Sequence, residues 1–161
     1  MQSRTILDSQ ITASSSAVGR EAKFARLNRF VRGHDELRRV SSWSPTSQDK
    51  NQWIQIQLTD SQSTEPVIIT QLATQGGESL ARAPQWVTSF SIQFCVDGKY
   101  WINYSGREDS ADPFIFQANQ DHNTVVTHIL TVPIKARAVR LVPQAWVGAV
   151  ALRVEFYRKA T

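Results

Sequence analysis

The chain is poor in cysteine: Cys95 is its single one. A lone thiol makes no internal disulfide, and with no CxxC or Cys/His spacing there is no zinc framework. A catalytic thiol wants a paired histidine, and nothing in the sequence places His34, His122 or His128 beside it. The histidines show no HxH or HExxH spacing either, so the sequence holds no His-ligated zinc motif. Long apolar runs are also missing. No stretch approaches the ~18 residues of a membrane-spanning helix, and the start, MQSRTILDSQITASSS, has no apolar core of a secretory signal. These absences set the expectation of a soluble chain without a transmembrane segment, cytoplasmic or non-classically secreted. Charge of one sign is scarce as well. Eighteen Lys and Arg against 14 Asp and Glu leave +4. The basic stretches at 20–32 and 38–39 are interrupted by Glu, Phe, Leu and Asn, so they read as a solvated edge, and nucleic acid is not an expected partner.

What is present is an ordinary globular composition, with 41% hydrophobic and 20% charged residues, which excludes a disordered chain. At 161 residues the length predicts one domain spanning 1–161, able to bury roughly two thirds of its unfolded surface. The organising stretch is WVTSFSIQFCVDGKYW at 86–101. Phe90, Ile92, Phe94 and Val96 alternate with Ser89, Ser91, Gln93 and Cys95, the period-two pattern of a strand with one buried face. Asp97-Gly98 then predicts a hairpin turn, because both residues tolerate positive φ. Further strands are predicted at WIQIQL (53–58), PVIITQLAT (66–74), 113–116, 124–130, 136–142 and VALRVEFY (150–157). Pro133 is expected to break the fourth of these, with 136–142 resuming after it. In the last, Val150, Leu152, Val154 and Phe156 are assigned inward, and Ala151, Arg153, Glu155 and Tyr157 outward. Arg153 with Glu155 reads as an exposed ion-pair rung, and Arg140 likewise as outward. Residues 21–30 carry three- to four-residue apolar spacing that suggests a short helical turn. Roughly eight strands and no long helix make the class all-β, a sandwich or barrel.

The pieces LDSQITASSS (7–16), ARLN (25–28), SSWSP (41–45), NQWIQIQL (51–58), TQGG (74–77), QWVTSFSIQFCVDGKYW (85–101), HNTVV (122–126), PIKARAVRLVP (133–143) and AVALRVEFY (149–157) occur in that order. Together they resemble the discoidin domain, also called the coagulation factor V/VIII type C domain, and QWVTS, NTVV and LRVEFY resemble the slime-mould discoidin lectins. The resemblance implies an eight-stranded antiparallel jelly-roll barrel with ligand loops at one end. Secreted members usually join a cysteine near each end of the domain in a disulfide. Here neither end has one, which favours a lectin made without a signal peptide, or a reducing compartment.

By motif order the three ligand loops fall at 17–23, 32–48 and 76–85. The resemblance implies two ligand classes: coagulation relatives push bare apolar residues into anionic membranes, and lectin relatives use polar groups with an aromatic against the sugar ring. The first loop offers Val18 alone and the third Leu80 alone, worth about 3 kcal/mol together if fully buried. Arg20, Lys23 and Arg82 would add about 1 kcal/mol each near an anionic surface. The polar set is richer. Charged groups bond vicinal hydroxyls well because charge-assisted hydrogen bonds are the strong ones. The carbohydrate-binding set is therefore His34, Asp35, Glu36 and Arg38 from the middle loop, with Glu78 and Arg82 from the third. Trp53, Trp86 and Trp101 are assigned to packing, and Trp146 to burial. No cofactor is expected; a structural calcium would draw on Asp8, Asp35 or Asp49, although no loop has regular ligand spacing. No nucleophile–base set emerges, so no enzyme is expected. The reading is a lectin for galactose or N-acetylgalactosamine-type glycans, with peripheral binding to anionic phospholipid or protein adhesion as the alternative. Weak single-site affinity makes a homo-oligomer the expected state.

Overall fold

A computed structural model describes residues 5–32 and 38–159; for Val31, Arg32, Arg38 and Arg39 it describes the backbone alone. Twelve strands occur among the described residues. The first four are β1 (Ile11–Ala13), β2 (Phe30–Arg32), β3 (Arg38–Val40) and β4 (Ile54–Gln57). Then come β5 (Val67–Gln75), β6 (Gly77–Glu78), β7 (Pro84–Cys95) and β8 (Ile102–Asn103). The last are β9 (Phe116–Gln117), β10 (Val126–Ala136), β11 (Ala138–Val147) and β12 (Arg153–Arg158). The excess over the expected eight consists of two- and three-residue strands.

One sheet runs β1-β4-β11-β7, and the far edge of β7 is shared in turn by β6, β9 and β8. The other is β10-β5-β12, and β2 pairs with β3 as a separate hairpin. All these pairings are antiparallel. The two large sheets stack but do not close, so the expected barrel is an open jelly-roll sandwich within the predicted all-β class. Edge strands as short as β1, β8 and β9 have few N–H and C=O groups with which to bond a second sheet.

Register explains the core. Ala13, Ile54, Leu141 and Ile92 form one row across the larger sheet, and Ile11, Ile56, Val139 and Phe94 the next. Ile54, Ile56, Leu141, Val139 and Ile92 are fully buried. Ile69, Leu72, Leu130, Ile134, Leu152 and Val154 meet them from the other side. The outer row of the larger sheet is Thr12, Gln55, Arg140 and Gln93. Arg140 is not an ion-pair rung. Its guanidinium lies 3.9 Å from the Trp53 ring and 3.8 Å from the Trp101 ring, and its Nε donates to Gln55 Oε1. Two indoles thus pack through a cation. Trp43 is the fully buried tryptophan, with Nε1 donating to the Ser15 carbonyl, while Trp146 is half-buried against the core.

Several local expectations change. The predicted hairpin is present as β7–β8, but of Asp97-Gly98 only Gly98 has positive φ, at 83°. Asp97 turns the chain with its side chain, accepting from the N–H of Lys99 and Tyr100 at 2.8 and 3.0 Å. These bonds hold its carboxyl below the ordinary value. Pro133 does not end its strand: β10 runs through it, with the register slipping between Ile129 and Ile134. An irregularity is where a residue without an N–H is tolerated. The 21–30 helical turn contracts to a 3-10 turn at Ala22–Phe24.

The last strand is the largest correction. Ala151, Arg153 and Glu155 are buried, not outward. The chain before β2 lies along β12, through an Arg26–Val154 bridge and a Val154 N–H bond to the Ala25 carbonyl. It thus extends the sheet beyond β12, and the chain that follows it brings the Arg29 carbonyl and the Phe30 ring against the Arg153 guanidinium.

Inside the sandwich, His128 packs edge-on to Phe90 and Phe116. The Asn119 amide donates to the Thr74 and Thr124 carbonyls, which leaves its oxygen to accept from Thr74 Oγ1. The Thr74 hydroxyl has then used its hydrogen, so His128 Nε2, 3.2 Å away, donates to it. The imidazole is neutral, and burial lowers its pKa below 6.5. As pH falls, the unfolded chain takes up this proton first. The stabilisation is complete above the unfolded value and is lost as pH falls through it towards the lower folded value. The thermal midpoint should therefore drop between about pH 7 and about pH 5, before the carboxylates titrate, and His128→Asn should flatten that slope. An unchanged slope in the variant would assign the drop to another group.

Candidate functional site

Five connections meet at one end of the sandwich, where β5 runs into Gly76. They carry residues 17–23, 41–48, 79–83, 118–125 and 148–152. Glycine permits the closest approaches. A Cβ on Gly77 would overlap Ser42 Oγ, and one on Gly76 would stand 2.6 Å from Trp86 Cβ and 3.0 Å from His122 Cα. Gly19 places the first loop against the third, with Leu80 3.6 Å from where its Cβ would be.

Arg153 ties these connections together. It is fully buried, and its Nε donates to the Gly76 carbonyl at 2.8 Å. Its Nη1 donates to the Arg29 carbonyl, and its Nη2 to the His122 carbonyl and Asn123 Oδ1. Burial pushes its pKa down to about 10, against the opposing pull of Glu78. Gln75 adds a second tie. Its amide donates to Asn28 Oδ1 and the Asn123 carbonyl, and its oxygen accepts from the Asn28 N–H. Asp121 pins the same loop by accepting from the N–H groups of Asn123 and Thr124 and from Thr124 Oγ1. Those bonds hold its carboxyl below the ordinary range.

The result is a carboxylate beside an imidazole at the loop end. Glu78 Oε1 lies 3.5 Å from His122 Nε2, with the side chains 20% and 32% exposed. Glu78 sits in β6, paired with Pro84 of β7. The turn beyond it is held by bonds between Ser79 and both Arg82 and Ala83, and exposed Arg82 takes φ of 63° there. Glu78 and Arg82 thus belong to one tight hairpin. Of the other predicted residues, His34, Asp35 and Glu36 lie outside the described residues, and Arg38 is described by its backbone in β3. His122 was not in the predicted set. It comes from a loop far away in sequence, and the signal at hand was the QDHNT turn chemistry that pins it.

Arg20 is corrected too. It is no surface charge: it is 7% exposed and bonds the Ser42 carbonyl, Ser42 Oγ and Gln85 Oε1. Val18 and Leu80 are exposed at the tips, by 88% and 64%. Among the described residues, no group of three or more His, Cys, Asp or Glu is placed to hold a metal ion. Asp8 is bonded to Arg26, and Asp49 to Asn51 and Gln52. A hollow of about 880 Å3 lies at the opposite end, between Ile56, Leu58, Val67, Ile69 and Phe156. It contains none of the predicted site residues. Asp60 on its wall accepts from the Gln62 and Ser63 N–H groups, which is a turn role. No helix among the described residues is long and apolar enough to cross a membrane.

A family model for the F5/8 type C domain matches residues 10–156. The EGF-like repeat and discoidin I-like domain-containing protein 3 of Homo sapiens is 32% identical over 162 residues, which is 96% of this chain and 31% of the relative. Coagulation factor VIII of Mus musculus is 34% identical over 96% of this chain and 6% of its own length. The chain thus spans about a third or less of these two relatives. Wild-type discoidin II from Dictyostelium discoideum superposes with a TM-score of 0.75 at 28% identity, over 94% of this chain and 55% of that one. A family 32 carbohydrate-binding module from C. perfringens, solved with galactose, shares the fold with a TM-score of 0.57 at 15% identity, over 92% and 91% of the two chains.

Two substitutions test how the loop end is held. Arg153→Leu leaves four acceptors without their donor and should cost about 3–5 kcal/mol, read as a fall in the urea midpoint. Gly77→Ala should lower the midpoint through the clash with Ser42.

Proposed function

Because the chain belongs to the F5/8 type C (discoidin) domain family, we propose that it is a carbohydrate-binding protein for galactose or N-acetylgalactosamine-type glycans. The family is a binding and adhesion module rather than a catalytic one, and the chain is read as one such domain over 1–161 that is not an enzyme. The observation that carries the reading is the Glu78–His122 pair. A part-exposed carboxylate next to an imidazole offers an acceptor and a donor at a spacing that suits two neighbouring sugar hydroxyls. Arg82 on the same hairpin adds a charged donor fork. The Arg153 and Gln75 ties hold the pair still before a ligand arrives, which reduces the ordering cost of binding. Structures that share this fold have been solved with galactose and with GalNAc-β-1,3-galactose. His34, Asp35, Glu36 and Arg38 are proposed to complete the site from the middle loop. A single weak site favours a homo-oligomer.

One observation favours a second reading. Val18 and Leu80 are adjacent exposed apolar tips, a shape suited to shallow insertion into a phospholipid surface.

A glycan array, run with and without a calcium chelator, separates the two. Selective retention of terminal galactose or N-acetylgalactosamine is expected. Glu78→Gln, Arg82→Ala and Asp35→Ala should each weaken it at least about tenfold while the thermal midpoint moves by less than about 2 °C. A blank array, with sedimentation on phosphatidylserine vesicles that is lost in Val18→Ser/Leu80→Ser, would replace the glycan reading with the lipid one.

A further inference from the structure

The outer face of the larger sheet holds a cation with one open edge. Arg140 stands on β11, opposite Gln55 of β4 and Gln93 of β7. Its Cζ lies 3.9 Å from the centre of the Trp53 ring and 3.8 Å from that of Trp101. Two rings this close cannot share one face of a planar group, so one indole covers each face. Nε is taken by Gln55 Oε1 at 2.9 Å. Nη1 and Nη2 differ: they have no acceptor among the described residues, and neither is buried. The paired N–H edge of the fork therefore opens to solvent from between two aromatic walls.

The charge is unmatched as well. Arg140 makes no ion pair among the described residues. Burial lowers its pKa, and no carboxylate is close enough to oppose that. A half-buried cation is screened less than one in open water, so an incoming anion gains more from it. The walls also restrict the shape of that anion. A carboxylate is planar and can lie in the plane of the guanidinium, accepting two parallel N–H bonds. A sulfate or phosphate is tetrahedral, and two of its oxygens would stand out of that plane, towards the rings.

The neighbours define what carries the carboxylate. Gln55, Arg140, Gln93 and Asn103 form one row across four strands, about 14 Å long at the usual strand spacing. Gln93 Nε2 donates to Asn103 Oδ1. The Gln93 oxygen and the NH2 groups of Asn103 and Gln55 are left without a partner among the described residues. Amide donors and acceptors in a row beside a cation match a chain of hydroxyls. An acidic protein segment would want an apolar centre to its contact, which amides do not supply.

We propose that this row binds a uronate-bearing polysaccharide, with one ring carboxylate held by the Arg140 fork between Trp53 and Trp101. The surface is distinct from the Glu78–His122 site. Gln93 lies nine residues along β7 from Pro84, the partner of Glu78, which is about 30 Å at the rise of a strand. The proposal is therefore independent of galactose binding at the loop end.

The test measures binding of a galacturonate oligomer by calorimetry, against its methyl ester, dextran sulfate and polyglutamate. The oligomer is expected to bind, and each of the other three at least about tenfold more weakly. Arg140→Lys keeps the positive charge but removes the fork, and should weaken uronate binding at least about tenfold. Gln93→Ala/Asn103→Ala leaves Arg140 with both indoles and Gln55, and should weaken it about three- to tenfold. Retention on the neutral-glycan array should be unchanged in both variants, which separates this surface from the loop site. The proposal is overturned if the parent chain binds no uronate oligomer, or binds the ester, dextran sulfate or polyglutamate equally well. Equal uronate binding in folded Arg140→Lys overturns it too. If Arg140→Lys melts early, the amide double variant and the methyl ester decide, and full binding by either one ends the proposal.

Discussion

A guanidinium removed from water must have its N–H groups bonded, or the fold pays for an unsatisfied charge. Arg153 meets that demand at the point where the sandwich ends and the loops begin. Its acceptors are carbonyls of Gly76, Arg29 and His122 and the side chain of Asn123. Each belongs to a different connection or to a different residue of the 118–125 loop. The geometry of the loop end therefore follows from one buried cation on β12. Loops of this kind are otherwise the least constrained parts of a domain.

The supporting frame is arranged to deliver that cation. Rows of Ile, Leu and Val set the register of β4, β11 and β7, and β5 in the facing sheet carries the chain up to Gly76. The segment before β2 then pairs along β12 and supplies the Arg29 carbonyl. The same segment buries Arg20 and Arg26. Opposite, on the outer face of the larger sheet, Arg140 between Trp53 and Trp101 shows a different solution to the same problem: the ring faces and Gln55 surround the guanidinium.

Much of this was legible before any coordinates. Period-two alternation located β4, β5, β7, β10 and β12, and the inward assignment of Ile54, Ile56, Phe90, Ile92 and Leu152 agrees with their burial. The ordered motifs identified the family. Less of the site was legible. Glu78 and Arg82 were named from the third loop and share one hairpin. His122 stands in HNTVV with no role of its own, because nothing local reveals which carboxylate a loop histidine will meet across the end of a sandwich.

Alternation along a strand follows from local backbone geometry, so the sequence by itself determined which residues lie on opposite faces and that the class is all-β. It could not say what covers each face. Arg153 and Glu155 have the sequence signature of a wet face, yet both are buried, and Arg29 and Phe30, more than a hundred residues earlier, lie against the Arg153 guanidinium. Tertiary structure alone decided that the sheets stack without closing, that Pro133 lies within a strand, and that Glu78 stands beside His122. Each depends on contacts between segments distant in the chain, whose partners no local pattern specifies.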